Sequence, residues 1–226
     1  MGLAFFSIAF GREYELLNLE LVNSIDKLSV EDCTIYTLTG HDSSIKEKIC
    51  DRHVILNAST KELCEMNGLD HTPKNAAIAA KCSIPRICEE NIFIYLDSDT
   101  ILLKSIDCIF RLIESGWEMA ICPSLNQGAR WLKHVTQEER DYTLSLFGYK
   151  ELQLQSGMFA CKRCINTDVL MSCWLSEVGR FQEYDQGALM RALVGCTIKY
   201  YTLSNSFNGI TRDCHVLHRF CDKNCR

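Results

Sequence analysis

Proline is scarce in this 226-residue chain, with three in all, and no stretch rich in Pro, Gly and Ser divides it. No internal repeat or low-complexity tract is present either, and the composition excludes a disordered chain, a collagen-like fibre and a coiled coil. Basic runs are absent, and 24 Lys and Arg against 29 Asp and Glu leave a net charge of −5. A protein that grips a phosphate backbone by releasing counterions needs the opposite balance, so nucleic acid is not an expected partner. Long apolar runs are missing as well: Leu3 to Phe10 falls far short of the ~20 residues that span a bilayer. That stretch has no basic flank and no small-residue cleavage site. It reads as a buried first strand, not as a signal peptide or transmembrane segment.

Cysteine is what the chain has in excess, at fourteen residues. With no secretory signal the expectation is a cytoplasmic protein with buried thiols rather than a disulfide framework. Cys161/Cys164 and Cys221/Cys225 have the spacing of a structural zinc site, although the first pair sits at an apparent strand-to-helix junction. The sequon Asn57-Ala58-Ser59 would matter only in a secreted chain. At 47% hydrophobic and 23% charged residues, the composition is that of an ordinary globular protein, read as one domain over residues 1–226.

Short apolar runs alternate with segments of helical period. Leu3–Phe10, Thr34–Leu38, Val54–Leu56, Ile92–Leu96, Met119–Cys122, Leu152–Cys161 and Thr197–Thr202 read as strands. Tyr14, Leu17, Leu21, Ile25 and Leu28 share one helical face, and further helices are expected over Asn75–Ile84, Ile106–Ile113 and Thr167–Leu193. Pro85 is expected to end the second of these helices. The segment QEERDY at 137–142 reads as a short surface helix within 123–148, the longest stretch with no strand pattern. Ile92–Leu96 is apolar at every position, as expected for a central parallel strand covered on both faces. The pattern as a whole predicts an α/β layered fold with a mainly parallel sheet flanked by helices. Ligands of such sheets bind beyond the carboxyl ends of the strands.

Strand Ile92–Leu96 runs directly into Asp97-Ser98-Asp99. Two carboxylates one residue apart at the end of a buried strand are costly to desolvate unless something positive sits between them. A hard divalent cation answers that need, while a solvated turn with Asp99 capping the next helix is the plain alternative.

The longer segment YLDSDTILLKSIDCIF closely resembles the metal-binding segment of the retaining glycosyltransferases of family 8, the group that contains glycogenin and the bacterial lipopolysaccharide galactosyltransferases. The resemblance runs from about residue 3 to 223 and implies a GT-A fold, a nucleotide-sugar donor and manganese or magnesium. It assigns Asp97 to the metal and the donor ribose, and Asp99 to the metal. Lys81, sixteen residues before Asp97, stands where the family places a basic residue for the donor phosphates or sugar, with Lys74 as the fallback. A solvated helix lysine is the bland alternative for Lys81.

In LQSGMFACKR the resemblance places Gln155, Ser156 and Gly157 against the donor sugar, where a glycine lets the backbone approach closely. In EYDQGAL it places Asp185 on donor or acceptor hydroxyls and Gln186 near the anomeric carbon; an ordinary helix start favours Asp as well. VLHRFCDK resembles the family's C-terminal His-x-x-Gly-x-x-Lys-Pro-Trp segment, making His218 the third metal ligand and Lys223 a diphosphate contact. Here the glycine and Pro-Trp are missing, the lysine comes one residue early, and His215 competes with His218. IAFGREY resembles the nucleotide-binding first loop, with Tyr14 placed to stack on the base or, equally, to join the core. Gly11 stands where many relatives carry an Asp for the uracil edge, which leaves the base open, with a UDP-sugar the first expectation.

The implied reaction moves a sugar to a glycan, protein or lipid-linked acceptor hydroxyl. Trp131, within 123–148, is the candidate acceptor platform. Retention is the implied outcome, and Glu183 or Asp185 would be the base if the reaction inverted. A haloacid dehalogenase-type phosphatase also begins from Asp-x-Asp after an apolar strand, but uses Thr or Val where Ile101 stands and places the motif on its first strand. A domain of the same fold that binds nucleotide or sugar without catalysis is the other alternative.

Overall fold

The computed structural model describes residues 2–29, 31–124, 135–147, 153–182 and 184–219. Trp131, Glu183, Cys221, Lys223 and Cys225 lie outside them. Strand β1 (Leu3–Ala9) is buried at every residue. Gly11 follows at φ +96°, a left-handed conformation that side chains resist, and turns the chain into α1 (Arg12–Leu28). Next come β2 (Thr34–Gly40), β3 (His53–Ala58) and α2 (Thr60–Met66), whose first turn is capped by Ser59 accepting from the Glu62 N–H. Helix α3 (Pro73–Ile87) has Thr72 as its cap and Pro73 in its first turn, where a missing N–H costs nothing.

The chain continues through β4 (Ile92–Leu96), β5 (Thr100–Leu102), α4 (Cys108–Glu114), β6 (Met119–Pro123) and α5 (Gln137–Phe147). The last elements are β7 (Leu154–Lys162), α6 (Ile165–Phe181), α7 (Asp185–Gly195), β8 (Tyr200–Thr202), β9 (Asn208–Gly209) and β10 (Val216–His218).

Among the described residues, seven strands form one sheet in the order β3-β2-β1-β4-β7-β6-β8. Four of its pairings are parallel. The two made by β7 are antiparallel. The expected mainly parallel sheet is therefore present, but β4 is parallel only to β1 and antiparallel to β7. Strand alternation divides the core in two. Phe6, Phe93, Tyr95 and Phe159 face α3, α6 and α7 through Ala76, Trp174 and Leu189. Phe5, Ile94 and Met158 face α1 and α4 through Leu21, Ile25 and Phe110. A second, three-stranded sheet, β5-β10-β9, stands apart from the first.

Three expectations are corrected. Pro85 does not end α3, which continues to Ile87; the proline lies in the last turn, where it removes a single backbone bond, and Ile84 before it is fully buried. The helical region 167–193 is two helices, broken at Gln182, which takes a left-handed φ of 55°. The QEERDY helix is longer than expected and is not merely superficial, since Glu139 and Thr143 are fully buried against Arg191 of α7. Helix α2 and the short strands β5, β9 and β10 lack a periodic signal long enough to read. Among the described residues no helix is long and apolar enough to cross a membrane.

Candidate active site

Strand β4 delivers Asp97 at its carboxyl end, where the Asp97 N–H bonds the Gly157 carbonyl of β7 at 2.9 Å. The Thr100 N–H and hydroxyl both bond the Asp97 carbonyl, closing a tight turn that carries Asp99 and leads into β5. Antiparallel pairing of β5 with β10 sets His218 opposite Thr100. Its Nε2 then lies 3.2 Å from Asp99 Oδ1 and 3.7 Å from Asp97 Oδ2. Arg219 locks this arrangement. Its N–H bonds the Asp99 carbonyl at 2.9 Å, and its guanidinium reaches Glu20 and the carbonyls of Leu17 and Thr100. His215, the rival of His218, stacks on Phe207 at 4.7 Å with Nδ1 3.0 Å from the Ser105 carbonyl oxygen. It takes no part in the group.

Among the described residues, Asp97, Asp99 and His218 are the one group of three potential metal ligands, with ligand atoms all within 4.8 Å of one another. Two carboxylates and an imidazole suit manganese or magnesium. Gly157 keeps the space between them clear, because a Cβ there would fall 2.6 Å from His218 Cε1 and 2.7 Å from Asp97 Oδ2. Burial raises the pKa of Asp99, but the His218 hydrogen bond and charge outweigh it and hold the carboxyl below its ordinary value. The residues present therefore fit a divalent cation. Half of the cysteine zinc pattern lies outside the described residues. Of the other half, Cys161 is fully buried in β7, and Cys164 Sγ lies 3.4 Å from the Thr167 hydroxyl.

Beside the metal group, Lys81 rises from α3 and Asp185 from the first residue of α7. Lys81 Nζ donates to Asp185 Oδ2 at 2.7 Å and to the Ser156 carbonyl at 3.3 Å, and lies 3.3 Å from Asp97 Oδ1. Its side chain is only 6% exposed. Burial works against the ammonium, but the charges of Asp185 and Asp97 prevail and hold its pKa well above the usual lysine value. The same pairing, with the Ser156 hydroxyl donating at 2.9 Å, holds buried Asp185 below the ordinary carboxylate range. The Trp174 indole N–H bonds the Asp185 carbonyl at 2.7 Å. Lys81 is thus no solvated helix lysine.

A cavity of about 510 Å³ opens over this cluster. Ile8, Phe10, Tyr14, Pro73, Ala77 and Ile78 give its lining apolar surface, and Lys81, Asp97, Asp99 and Asp185 give it charge. Tyr14, 45% exposed, belongs to the cavity wall and not to the core. Lys74 lines the cavity too, with its ammonium 4.2 Å from the centre of the Tyr184 ring. Gln186 is half-buried one position beyond Asp185. The Gln155 amide is turned to the Pro123 carbonyl and to Asn208, whose Nδ2 donates to it at 2.9 Å. Tyr95, Trp174, Asn208 and Arg219 escaped the sequence reading. Of these only Tyr95 carries a usable signal, since it lies two residues before Asp97 on a strand and so on the same face.

Comparison with solved structures places this architecture. Mouse xyloside xylosyltransferase 1 in its apo form aligns with a TM-score of 0.68 at 10% identity, over 98% of this chain and 99% of its own. Galactosyltransferase LgtC, solved with donor and acceptor sugar analogues, aligns with a TM-score of 0.66 at 12% identity, over 95% of this chain and 86% of its own.

The fold is that of the GT-A glycosyltransferases. The bifunctional glycosyltransferase WbbM shares the GT-A fold, with a TM-score of 0.66 at 12% identity, over 92% of this chain and 39% of WbbM. No protein-family model matches the sequence, and no curated protein matches it. Over the whole chain the GT-A likeness is thus one of backbone architecture, with sequence likeness confined to short segments.

Proposed function

We propose that the protein is a metal-dependent glycosyltransferase, a single GT-A domain that moves a sugar from a nucleoside-diphosphate sugar, a UDP-sugar first, to an acceptor hydroxyl with retention. The observation that carries the reading is the convergence of Asp97, Asp99 and His218, the two acids lining a cavity walled also by apolar side chains and Lys81. The GT-A fold, shared with a galactosyltransferase solved with donor and acceptor sugar analogues, supports it. A lining of apolar, aromatic and charged side chains suits a nucleotide sugar, with Tyr14 for the base and the acids, through the cation, for the diphosphate.

Asp97, Asp99 and His218 would hold manganese or magnesium. Such an ion, when bound, neutralises the charge that grows on a departing nucleoside diphosphate. The chain's own residues prepare the remainder. Lys81 is fixed against both Asp97 and Asp185, so the sugar meets preorganised polar groups that need not reorganise during reaction. Lys223 adds positive charge to the diphosphate by the family resemblance. Asp185 and Gln186, at the start of α7, orient the sugar and the incoming hydroxyl. An Asp185 carboxylate held by Lys81 and Ser156, and made less basic by them, is a poor general base, which favours retention. The acceptor is a glycan, protein or lipid-linked hydroxyl, with Trp131 as the proposed platform. The phosphatase alternative finds no support, since Asp97 follows the fourth strand of a GT-A sheet.

The test is release of free nucleoside diphosphate from UDP-, GDP- and ADP-sugars with and without manganese, beside a folded Asp97→Ala/Asp99→Ala variant. Manganese-dependent release from one donor, lost in the variant, is expected. Binding of the donor without turnover, with an acceptor panel supplied, would replace the enzyme with a binding domain. Neither binding nor turnover would overturn the reading.

A further inference from the structure

Asp97 has two oxygens in different company. Oδ1 accepts the Tyr95 hydroxyl at 2.7 Å and lies 3.3 Å from Lys81 Nζ, while Oδ2 faces His218 Nε2 at 3.7 Å. Oδ2 is also the oxygen that borders the space kept clear at Gly157. The Lys81 ammonium lies closer to Asp185, at 2.7 Å, than to Asp97. The shorter of the two contacts at Asp97 Oδ1 is the Tyr95 hydroxyl, at 2.7 Å against 3.3 Å for Lys81.

Strand period puts residues 95 and 97 on one face of β4, and the Tyr95 side chain is almost wholly buried. Its ring stacks on Phe159 at 5.1 Å, and the Lys81 ammonium sits 4.7 Å from its centre. Phe159 in turn packs edge-on against Trp174, whose indole N–H holds the Asp185 carbonyl. The rings of Tyr95, Phe159 and Trp174 thus form a column whose two outer members each hydrogen-bond one of the acidic residues.

We propose that Tyr95 is a positioning residue: its hydroxyl holds Asp97 Oδ1 so that Oδ2 is presented to the divalent cation. This rests on the metal site put forward above. Hydrogen-bond partners of metal ligands of this kind are worth 10–100-fold in affinity or activity.

The experiment measures manganese binding to the donor-free protein by the paramagnetic resonance of free Mn²⁺, for wild type, Tyr95→Phe, Phe159→Leu and Asp99→Ala. Tyr95→Phe keeps the ring and its stacking and removes only the hydroxyl. It is expected to weaken manganese binding about tenfold or more while melting in one cooperative transition, and excess manganese is expected to restore its turnover. Phe159→Leu, which leaves the hydroxyl but breaks the stack, is expected to lower the melting temperature and to bind manganese within about threefold of wild type. A Tyr95→Phe protein that binds manganese like wild type, while Asp99→Ala does not, overturns this proposal and leaves the metal site standing. Unchanged binding by Asp99→Ala, or none by wild type, overturns the metal site and the role of Tyr95 with it.

Discussion

Gly157 shows how much of the site depends on a single hydrogen atom. A methyl group there overlaps both His218 and Asp97 at distances that real Cβ atoms essentially never show, so both side chains must shift. Gly157→Ala is expected to abolish manganese binding, as read by titration, and to cost about 1–3 kcal/mol in urea unfolding. His53 presents a different residue-scale problem, far from the cavity. It is fully buried, and the Ile49 N–H donates to its Nδ1, so the ring proton lies on Nε2 and bonds Thr37. Thr37 donates on to Asn18, and Asn18 to Ser7, in one buried chain of hydrogen bonds. A second ring proton would point at the Ile49 N–H. Burial, with the Lys48 charge, accordingly pushes the His53 pKa down from 6.5 to about 4. The unfolded chain takes up this proton first. Stability is therefore full above pH 6.5, falls as pH drops toward 4, and levels off below. Urea midpoints across that range check it, and His53→Asn should flatten this part of the profile.

At the scale of elements, helix α5 is held by charge as well as by the apolar contacts of Leu144 and Tyr142. Arg191 of α7 reaches Glu139 and Thr143 of α5 at 2.8 and 2.9 Å, and Glu177 of α6 at 2.8 Å. Its side chain is 1% exposed and that of Glu139 is fully buried. Arg191→Met removes the guanidinium and leaves the Glu139 carboxylate in the interior, at an expected cost of about 3–5 kcal/mol in chemical denaturation. The double variant Arg191→Met/Glu139→Leu should recover most of that loss, because burying neither charge is cheaper than burying one. The turn between α6 and α7 is fastened as well. Gln182 accepts from the Asp70 N–H at 2.6 Å and from Asn75 at 3.3 Å, joining the approach to Asp185 to the start of α3, the helix that carries Lys81.

Across the whole molecule, ligands that bind only the folded state stabilise it by mass action. Manganese with a nucleoside diphosphate, at about one hundred times the dissociation constant, should add ~2.7 kcal/mol and raise the melting temperature by roughly 5–10 °C. The Asp97→Ala/Asp99→Ala variant should show no such shift. An equal rise in both proteins would place the binding elsewhere. The acidic balance, net −5, makes the metal and the lysines near the cavity the local exceptions that a diphosphate requires.

Adjacent residues spoke for themselves in the sequence. The apolar run 92–96 ending in Asp-Ser-Asp, the alternation of strands with helices, and the acid opening α7 are local patterns, and local patterns reflect backbone preference and burial period. Nothing local separates His218 from His215, three residues away. The choice was made by β10 pairing with β5 more than a hundred positions earlier, which turns His218 to the acids and His215 to Phe207. Tyr14 likewise left the core face because the cavity opens beside the first turn of α1. Lys81 became the counter-ion of two acids because three segments converge on it, from β4, β7 and α7. Strand register and helix packing join residues by distance in space, and chain separation leaves no periodic trace of that distance. Sequence therefore determined which chemistry the chain carries, and tertiary structure decided which of those groups meet.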